Sequence, residues 1–178
     1  MILGKARDKR GNPVLLRTPS MKDLHRLVGY MNSLVEENAN ILLGKKISVK
    51  DEKSWLTDII KRMKQGTYFY IIADVDGEIA GTANFAKGVH RQSHVAGFGV
   101  SVNKKFRKLG IGSLLAKEVF KHARRSGVRI ITLGVFPRNT VAIKMYRKLG
   151  FKKYGLLPHS IRDGRGYTDE ILMCRRLC

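Results

Sequence analysis

Two stretches in the first third of the chain have the apolar spacing of amphipathic helices. Apolar residues recur with a period near 3.6 after Ser20 and again after Ser48, which forms a capping box with Asp51. The pattern predicts two helices separated by a loop over residues 36–47, and the second helix ends at Gly66. Their apolar positions are Leu24, Leu27, Val28, Met31, Leu34 and Val35, then Trp55, Leu56, Ile59, Ile60 and Met63.

Beyond Tyr68 the pattern changes to the alternation and β-branched composition of strands. Two strands are predicted on either side of an Asp76-Gly77 turn, and a third is predicted over His94–Val102. A short strand over Val14–Arg17 precedes the helices, and we expect residues 1–11 to be flexible.

The second half of the chain alternates helices with strands. It predicts an amphipathic helix over Ile111–Arg125, a buried strand over Arg129–Phe136, and a helix over Asn139–Leu149. Two last strands flank a turn at 162–166. This order predicts an α/β fold: a mixed, mostly antiparallel sheet of about seven strands, a central βαβ crossover and about four helices.

Length and composition limit the class of protein. The 178 residues, 43% of them hydrophobic and 28% charged, suit one globular domain over 1–178. No apolar run has the length of a membrane span and no signal-peptide pattern opens the chain, so we expect a cytoplasmic protein without membrane contact. Cys174 and Cys178 lack a second Cys or His pair, so we expect reduced thiols and no metal.

The formal net charge of +21 is the one extreme property of the composition. Such a charge favours polyanionic ligands, but here the basic residues are spread along the whole chain. We therefore expect a basic surface with non-specific nucleic-acid contact. A dedicated nucleic-acid-binding function is the distant alternative, since neither ribonucleoprotein-type aromatic motifs nor zinc-finger spacing is present.

One segment carries a recognisable phosphate-binding pattern. The sequence F-R-K-L-G-I-G-S-L-L at 106–115 follows a predicted strand and opens a predicted helix. A glycine-bearing loop at a helix start presents unpaired N–H groups and the positive end of the helix dipole to an anion. The P-loop pattern is absent, and Leu115 stands where a dinucleotide fingerprint has its third glycine. The pattern that remains, [QR]-x-x-G-x-[GA], is met by Arg107–Gly112.

This hexapeptide resembles the coenzyme A pyrophosphate loop of the GNAT superfamily of N-acetyltransferases. The register from Val102 through Phe106 is similar to that family, as is the pattern N-x-x-A-x-x-x-Y-x-x-x-G-F at 139–151. The resemblance covers about residues 12–176. H-V-A-G-F-G-V-S-V and D-G-R-G-Y-T-D-E-I-L-M look most like the branch that acetylates amino acids and phosphinothricin-type herbicides.

The resemblance implies that acetyl-CoA is the cosubstrate, that no metal takes part, and that a primary amine attacks the thioester directly in a ternary complex. A small amino-acid-like substrate is expected, and a protein or ribosomal α-amine or lysine is the alternative. The loops at 36–47 and 156–167 would decide between them. A homodimer is also within expectation, since many relatives dimerise.

The resemblance further implies where the cofactor binds. In the family two central strands splay apart around the pantetheine arm, so backbone groups of Val100 and Val102 would bind its amides, and the Val102 amide would polarise the thioester carbonyl. The implied cofactor-binding residues are Val100, Val102, Arg107, Lys108, Leu109, Gly110, Ile111, Gly112, Ser113, Asn139, Ala142 and Tyr146. Candidates for the 3′-phosphate are Lys104, Lys105, Lys144 and Lys148.

Two proton transfers need side chains. Tyr146 matches the family tyrosine that protonates the leaving thiolate, although plain core packing is the alternative for it. For the base, Gly97 stands where many relatives carry an acid, and His94 would lie about 26 Å from the thioester end of its strand. We expect Glu37 to be the base. Glu36, Asp169, Glu170 and a water relay without a dedicated base remain alternatives.

Overall fold

The computed structural model describes residues 1–164 and 166–177, so Arg165, in the predicted turn, and Cys178, a predicted reduced thiol, lie outside it. The strands are β1 (Ile2–Arg7), β2 (Pro13–Arg17), β3 (Tyr68–Val75), β4 (Glu78–Lys87), β5 (Val95–Val102), β6 (Ile130–Val135), β7 (Lys152–Asp163) and β8 (Gly166–Arg176). The α-helices are α1 (Leu24–Glu36), α2 (Val49–Lys64), α3 (Ile111–Arg125) and α4 (Thr140–Lys148).

These strands form one sheet in the order β1-β2-β3-β4-β5-β6-β8-β7. Every neighbouring pair is antiparallel except β5 and β6, which are parallel and connected through α3. The predicted mixed sheet with a central βαβ crossover is confirmed. The sheet has eight strands rather than seven because Ile2–Arg7 pairs with β2, which corrects the expectation of a flexible start.

Local signals place the element ends much as the sequence predicts. The Ser48 hydroxyl accepts a hydrogen bond from the Asp51 N–H at 3.1 Å, so the capping box starts α2 as expected. Asp76 and Gly77 both have positive φ, 49° and 81°, which is the geometry of a tight hairpin turn. A 3₁₀ turn separates Ser20 from the first helix, so α1 begins at Leu24.

The sheet has a packed cluster on each face. Helices α3 and α4 cover one face, where Leu115 and Tyr146 pack with Phe98. Helices α1 and α2 cover part of the other face, where Leu27 and Leu56 are fully buried. Since side chains alternate along a strand, even-numbered residues of β5 face α3 and odd-numbered ones face α1 and α2. Among the described helices, none is long and apolar enough to cross a membrane.

Candidate active site

Strands β5 and β6 pair over only three residues and then separate. Val95, Ala96 and Gly97 lie opposite residues 130–132, and β5 then continues to Val102 with a hydrogen-bonded neighbour on its β4 side alone. A parallel pair that stops halfway leaves a wedge-shaped gap in the middle of the sheet. Backbone groups that face this gap have no partner strand.

The alternation of hydrogen bonds along β5 identifies the groups that face the gap. The Val95 carbonyl accepts from Gly88 at 2.8 Å and the Asn103 N–H donates to Ala80 at 2.9 Å, so odd-numbered backbone groups bond towards β4. The groups of Val100 and Val102 therefore point into the gap. A ligand with amide groups can bind there as an additional strand.

The gap leads to a loop whose amides are free. The N–H groups of Lys108 through Gly112 donate to no carbonyl or side chain within residues 1–164 and 166–177. Positive φ values at Lys108 (64°) and Gly110 (85°) turn the chain into the start of α3. Ser113 differs from the prediction, because its N–H donates to the Gly110 carbonyl at 3.0 Å and is occupied by the helix. Successive free amides at a helix start are an anion site.

The two loop glycines are required for different reasons. Gly110 has the left-handed conformation that L side chains rarely adopt. A Cβ at Gly112 would lie 3.1 Å from the Met145 sulfur and 3.5 Å from Val102, so this glycine lets α3 pack closely against α4 and β5. Tight packing at Gly112 therefore accompanies any role that its amide has.

A lysine from the first hairpin also lies against this loop. The Lys9 N–H donates to the Leu109 carbonyl at 3.0 Å, and the aliphatic part of its side chain passes 3.5 Å from a Cβ built on Gly110. No local pattern connects the β1–β2 turn with a loop a hundred residues later, so no signal in the sequence indicated Lys9. Of the lysines expected at a phosphate, Lys105 instead pairs with Glu78 at 2.6 Å.

Glu37, at the C-terminal end of α1, forms an ion pair with Arg107. The guanidinium of Arg107 also donates from Nε to the Val102 carbonyl at 3.1 Å. Arg107 is therefore fixed between the first helix and the end of β5, beside the free amides. Within residues 1–164 and 166–177 the Glu37 carboxylate has this arginine as its one partner, and the side chain is 15% exposed.

Tyr146 lies on the α3 and α4 face of the gap. Its ring is buried between Phe98, at a centroid distance of 6.4 Å, and Phe151, at 5.7 Å. Burial raises the pKa of Tyr146 to about 12, so the phenol stays protonated through the physiological range. Its hydroxyl has no hydrogen bond within the described residues, and it is not among their fully enclosed polar atoms. Packing explains the ring but not the hydroxyl.

The loop between β6 and α4 connects both predicted substrate loops. Asn139 caps α4, since its side-chain oxygen accepts from the Ala142 N–H at 3.2 Å. The neighbouring Arg138 donates from Nε to the Asn40 side chain at 2.7 Å and forms an ion pair with Asp163. Arg138 thereby links the α1–α2 loop with the β7–β8 hairpin, which no sequence motif indicated.

Three other candidates for the base, Glu36, Asp169 and His94, have structural partners or lie far away, whereas Glu170 lies against Gly134 of β6. Glu36 pairs with Lys46 at 2.6 Å, and Asp169 accepts the His159 N–H at 3.0 Å where β7 is irregular. His94 precedes β5 at the end opposite Val102. Within the described residues, no three His, Cys, Asp or Glu side chains cluster as a metal site.

A cavity of about 380 Å³ opens on the sheet face opposite α3 and α4. Gly97 and Gly99 of β5 and Thr132 and Gly134 of β6 line it across the gap. The Asn84 side-chain oxygen lies 2.8 Å from a Cβ built on Gly99, so this glycine makes room for an amide in the cavity. The gap thus leads to the loop of free amides at one end and to a cavity on the other face.

Comparisons with known proteins agree with this geometry. Residues 31–151 match the family model described as the acetyltransferase (GNAT) family. The L-amino acid N-acetyltransferase AaaT of Escherichia coli is 33% identical over 109 residues, which are 59% of this chain and 66% of that protein.

Two solved structures have the same fold. A GNAT acetyltransferase from Streptococcus pneumoniae superposes with a TM-score of 0.82 at 26% identity, covering 92% of this chain and 99% of that one. A phosphinothricin acetyltransferase from Sinorhizobium meliloti, in complex with acetyl-CoA, has a TM-score of 0.80 at 20% identity, covering 92% and 88%.

Proposed function

The chain belongs to the acetyltransferase (GNAT) family and is an N-acetyltransferase whose acyl donor is acetyl-CoA, and from this premise we propose that its acceptor is the primary amine of a small amino-acid-like molecule. The supporting observation is the gap beyond Gly97, which joins the free amides of residues 108–112 to a cavity on the opposite face. A donor and an acceptor can therefore meet inside the sheet.

The free amides fit the pyrophosphate of the donor. Lys108, Leu109, Gly110, Ile111 and Gly112 present adjacent N–H groups at the positive end of α3. In this proposal the Arg107, Lys108 and Lys9 side chains add positive charge, and Ser113 contributes only through its side chain. The Asn139 side-chain nitrogen and the α4 start at Ala142 would border the acyl end of the pantetheine arm.

The acetyl transfer follows from the groups that face the gap. The lone pair of the neutral amine attacks the thioester carbon, and the Val102 N–H donates to the carbonyl oxygen as negative charge develops there. The C–S bond then breaks, and the thiolate takes a proton from the Tyr146 hydroxyl, which recovers one from solvent. The attacking nitrogen must lose a proton before attack and another after it.

Cavity size and a link between two loops favour a small acceptor. The cavity of about 380 Å³ suits a molecule of amino-acid size. Arg138 connects the Asn40 side chain to Asp163 and so joins the α1–α2 loop to the β7–β8 hairpin, the two segments that an extended peptide would have to separate in this proposal. The amino-acid acceptor stated in the name of the E. coli relative agrees with this inference.

Two measurements test the proposal. Calorimetric titration with acetyl-CoA at raised salt, where non-specific attraction is screened, should give one-to-one micromolar binding. Release of free thiol should then be followed with a panel of L-amino acids and, in parallel, with peptides that have free α-amines. Turnover of amino acids but not peptides supports the proposal. Turnover of peptides alone would move the function to protein N-acetylation.

A further inference from the structure

The side chain of Glu170 occupies the space above a glycine at the gap. Glu170 lies on β8, and a Cβ built on Gly134 of β6 would overlap its carboxylate and lie 2.9 Å from its Cγ. The carboxylate therefore rests on the Gly134 backbone. Any side chain at position 134 would displace it.

Strand register puts this carboxylate on the cavity face. Leu172 lies directly opposite Gly134, and Glu170, two residues earlier on β8, points to the same face. Thr132 lies opposite Gly97, so Gly134 shares that face with Gly97 and Gly99. Glu170 and the cavity are consequently on the same side of the sheet.

The position of Gly134 along the strand axis brings Glu170 near the reacting atoms of the proposed reaction. Gly97 and Thr132 are the last pair of β5 and β6, so Gly134 lies about level with Gly99, about 7 Å into the gap. The next residue of β5 is Val100, whose backbone faces the gap. A carboxylate at this position along the strands can contact an amine that approaches a thioester bound at Val100 and Val102.

Unlike most acidic residues, Glu170 forms no hydrogen bond or ion pair within the part of the chain that the structure describes. Eleven of the 14 acidic residues form a hydrogen bond or an ion pair within residues 1–164 and 166–177. The other three are Glu52, a buried residue of α2, Asp76, at the tip of a turn, and Glu170. In a chain with 35 lysines and arginines, a half-buried carboxylate without a partner is exceptional.

We propose that Glu170, on β8, is the catalytic base and accepts a proton from the substrate ammonium. Position 97 of β5 is a glycine and supplies no carboxylate for this role. A Cβ at Gly97 would meet nothing within 4 Å, so the β5 side of the cavity is open. In this proposal the base is supplied by β8 instead. The ammonium N–H bond breaks and the proton moves to the Glu170 carboxylate. The carboxyl group then releases this proton to solvent. This inference rests on the proposed function.

The test replaces Glu170 by glutamine, which keeps the shape and removes the basic oxygen. Glu170→Gln should lower kcat/KM for the amine by about a hundredfold and leave the acetyl-CoA Kd within about twofold. The matched control is Asp76→Asn, which changes a carboxylate in the β3–β4 turn, on strands that β5 and β6 separate from β8, and which should keep wild-type rates. Gly134→Ala should also lower the rate, since its methyl group displaces the carboxylate.

A second-site variant separates chemistry from structure. Gly97→Glu in the Glu170→Gln background puts a carboxylate on the same face of the gap from β5 and should raise kcat/KM at least tenfold above that of Glu170→Gln. If Glu170→Gln stays within about threefold of wild type, the proposal is overturned.

The two proposals fail in different ways. If the wild type acetylates no amine, the proposed function fails. The role of Glu170 is then tested by comparing the affinity of wild type and Glu170→Gln, each in complex with coenzyme A, for L-methionine. Weaker L-methionine binding by Glu170→Gln would retain Glu170 as the group that contacts the amine. Equal L-methionine affinity of the two proteins, or no binding by the wild type, would overturn the proposal for Glu170.

Discussion

Glu37 and Arg107, 70 residues apart in the chain, form an ion pair beside the loop of free amides at 108–112. The same guanidinium donates to the Val102 carbonyl at 3.1 Å, so one arginine connects the end of α1, the end of β5 and the loop. The sequence predicts both residues as site residues but in separate roles, Arg107 for the phosphate and Glu37 for the amine proton. Their contact indicates one shared function, which is to hold the loop against the gap.

If that function is correct, Arg107→Ala should raise the acetyl-CoA Kd about tenfold. This factor corresponds to a loss of about 1.4 kcal/mol in binding free energy. Glu37→Gln should raise the Kd by a smaller factor and leave kcat within about threefold. Calorimetry and steady-state kinetics on the two variants check both parts. A fall in kcat of a hundredfold for Glu37→Gln would return the role of the base to Glu37.

The conformation of Gly110 gives a prediction with an internal control. Gly110 and Gly127 have nearly the same positive φ, 85° and 80°, but only Gly110 belongs to the loop. Alanine at either position should cost about 1–2 kcal/mol in free energy of unfolding because of the left-handed backbone. Only Gly110→Ala should weaken acetyl-CoA binding, by fivefold or more, as measured by titration. Equal affinities for the two variants would contradict the assignment of the loop.

Tyr146→Phe tests the proton donor. The variant should lower kcat between tenfold and a hundredfold and leave the acetyl-CoA Kd unchanged, because the ring and its packing are retained. Stability should not fall, since the hydroxyl has no hydrogen bond within the described residues. A thermal melt and a kcat measurement suffice. An unchanged kcat would leave Tyr146 with core packing alone.

The buried carboxyl of Glu52 predicts a pH-dependent stability. One of its oxygens is buried without a partner within the described residues, and burial raises the pKa of Glu52 from 4.5 to about 7. A raised carboxyl pKa means that the folded state disfavours the charge: the penalty is absent below pH 4.5 and complete above pH 7. Glu52→Gln should therefore add about 3 kcal/mol to the free energy of unfolding at pH 8 and almost nothing at pH 4.

Denaturant titrations of Glu52→Gln and wild type at the two pH values measure this difference. A stabilisation of equal size at both would mean that the substitution acts through packing rather than through the charge.

The sequence alone determined the features that depend on neighbours in the chain. Apolar periodicity, the Ser48 capping box, the Asp76-Gly77 turn and the glycine loop at 107–112 all act within a few residues, so their signals can be read locally. Together with the pattern at 139–151 they predicted the element order and the fold, and the coenzyme A loop at 107–112 stays a prediction.

The tertiary structure decided what depends on strands and loops distant in sequence. The sheet order places β8 beside β6, and only that adjacency brings the Glu170 carboxylate onto Gly134, 36 residues earlier in the chain. The contacts of Lys9 with Leu109 and of Arg138 with Asn40 and Asp163 have the same origin. Local patterns select helices, strands and turns, but long-range packing of their side chains against one another determines which charged groups meet at the gap.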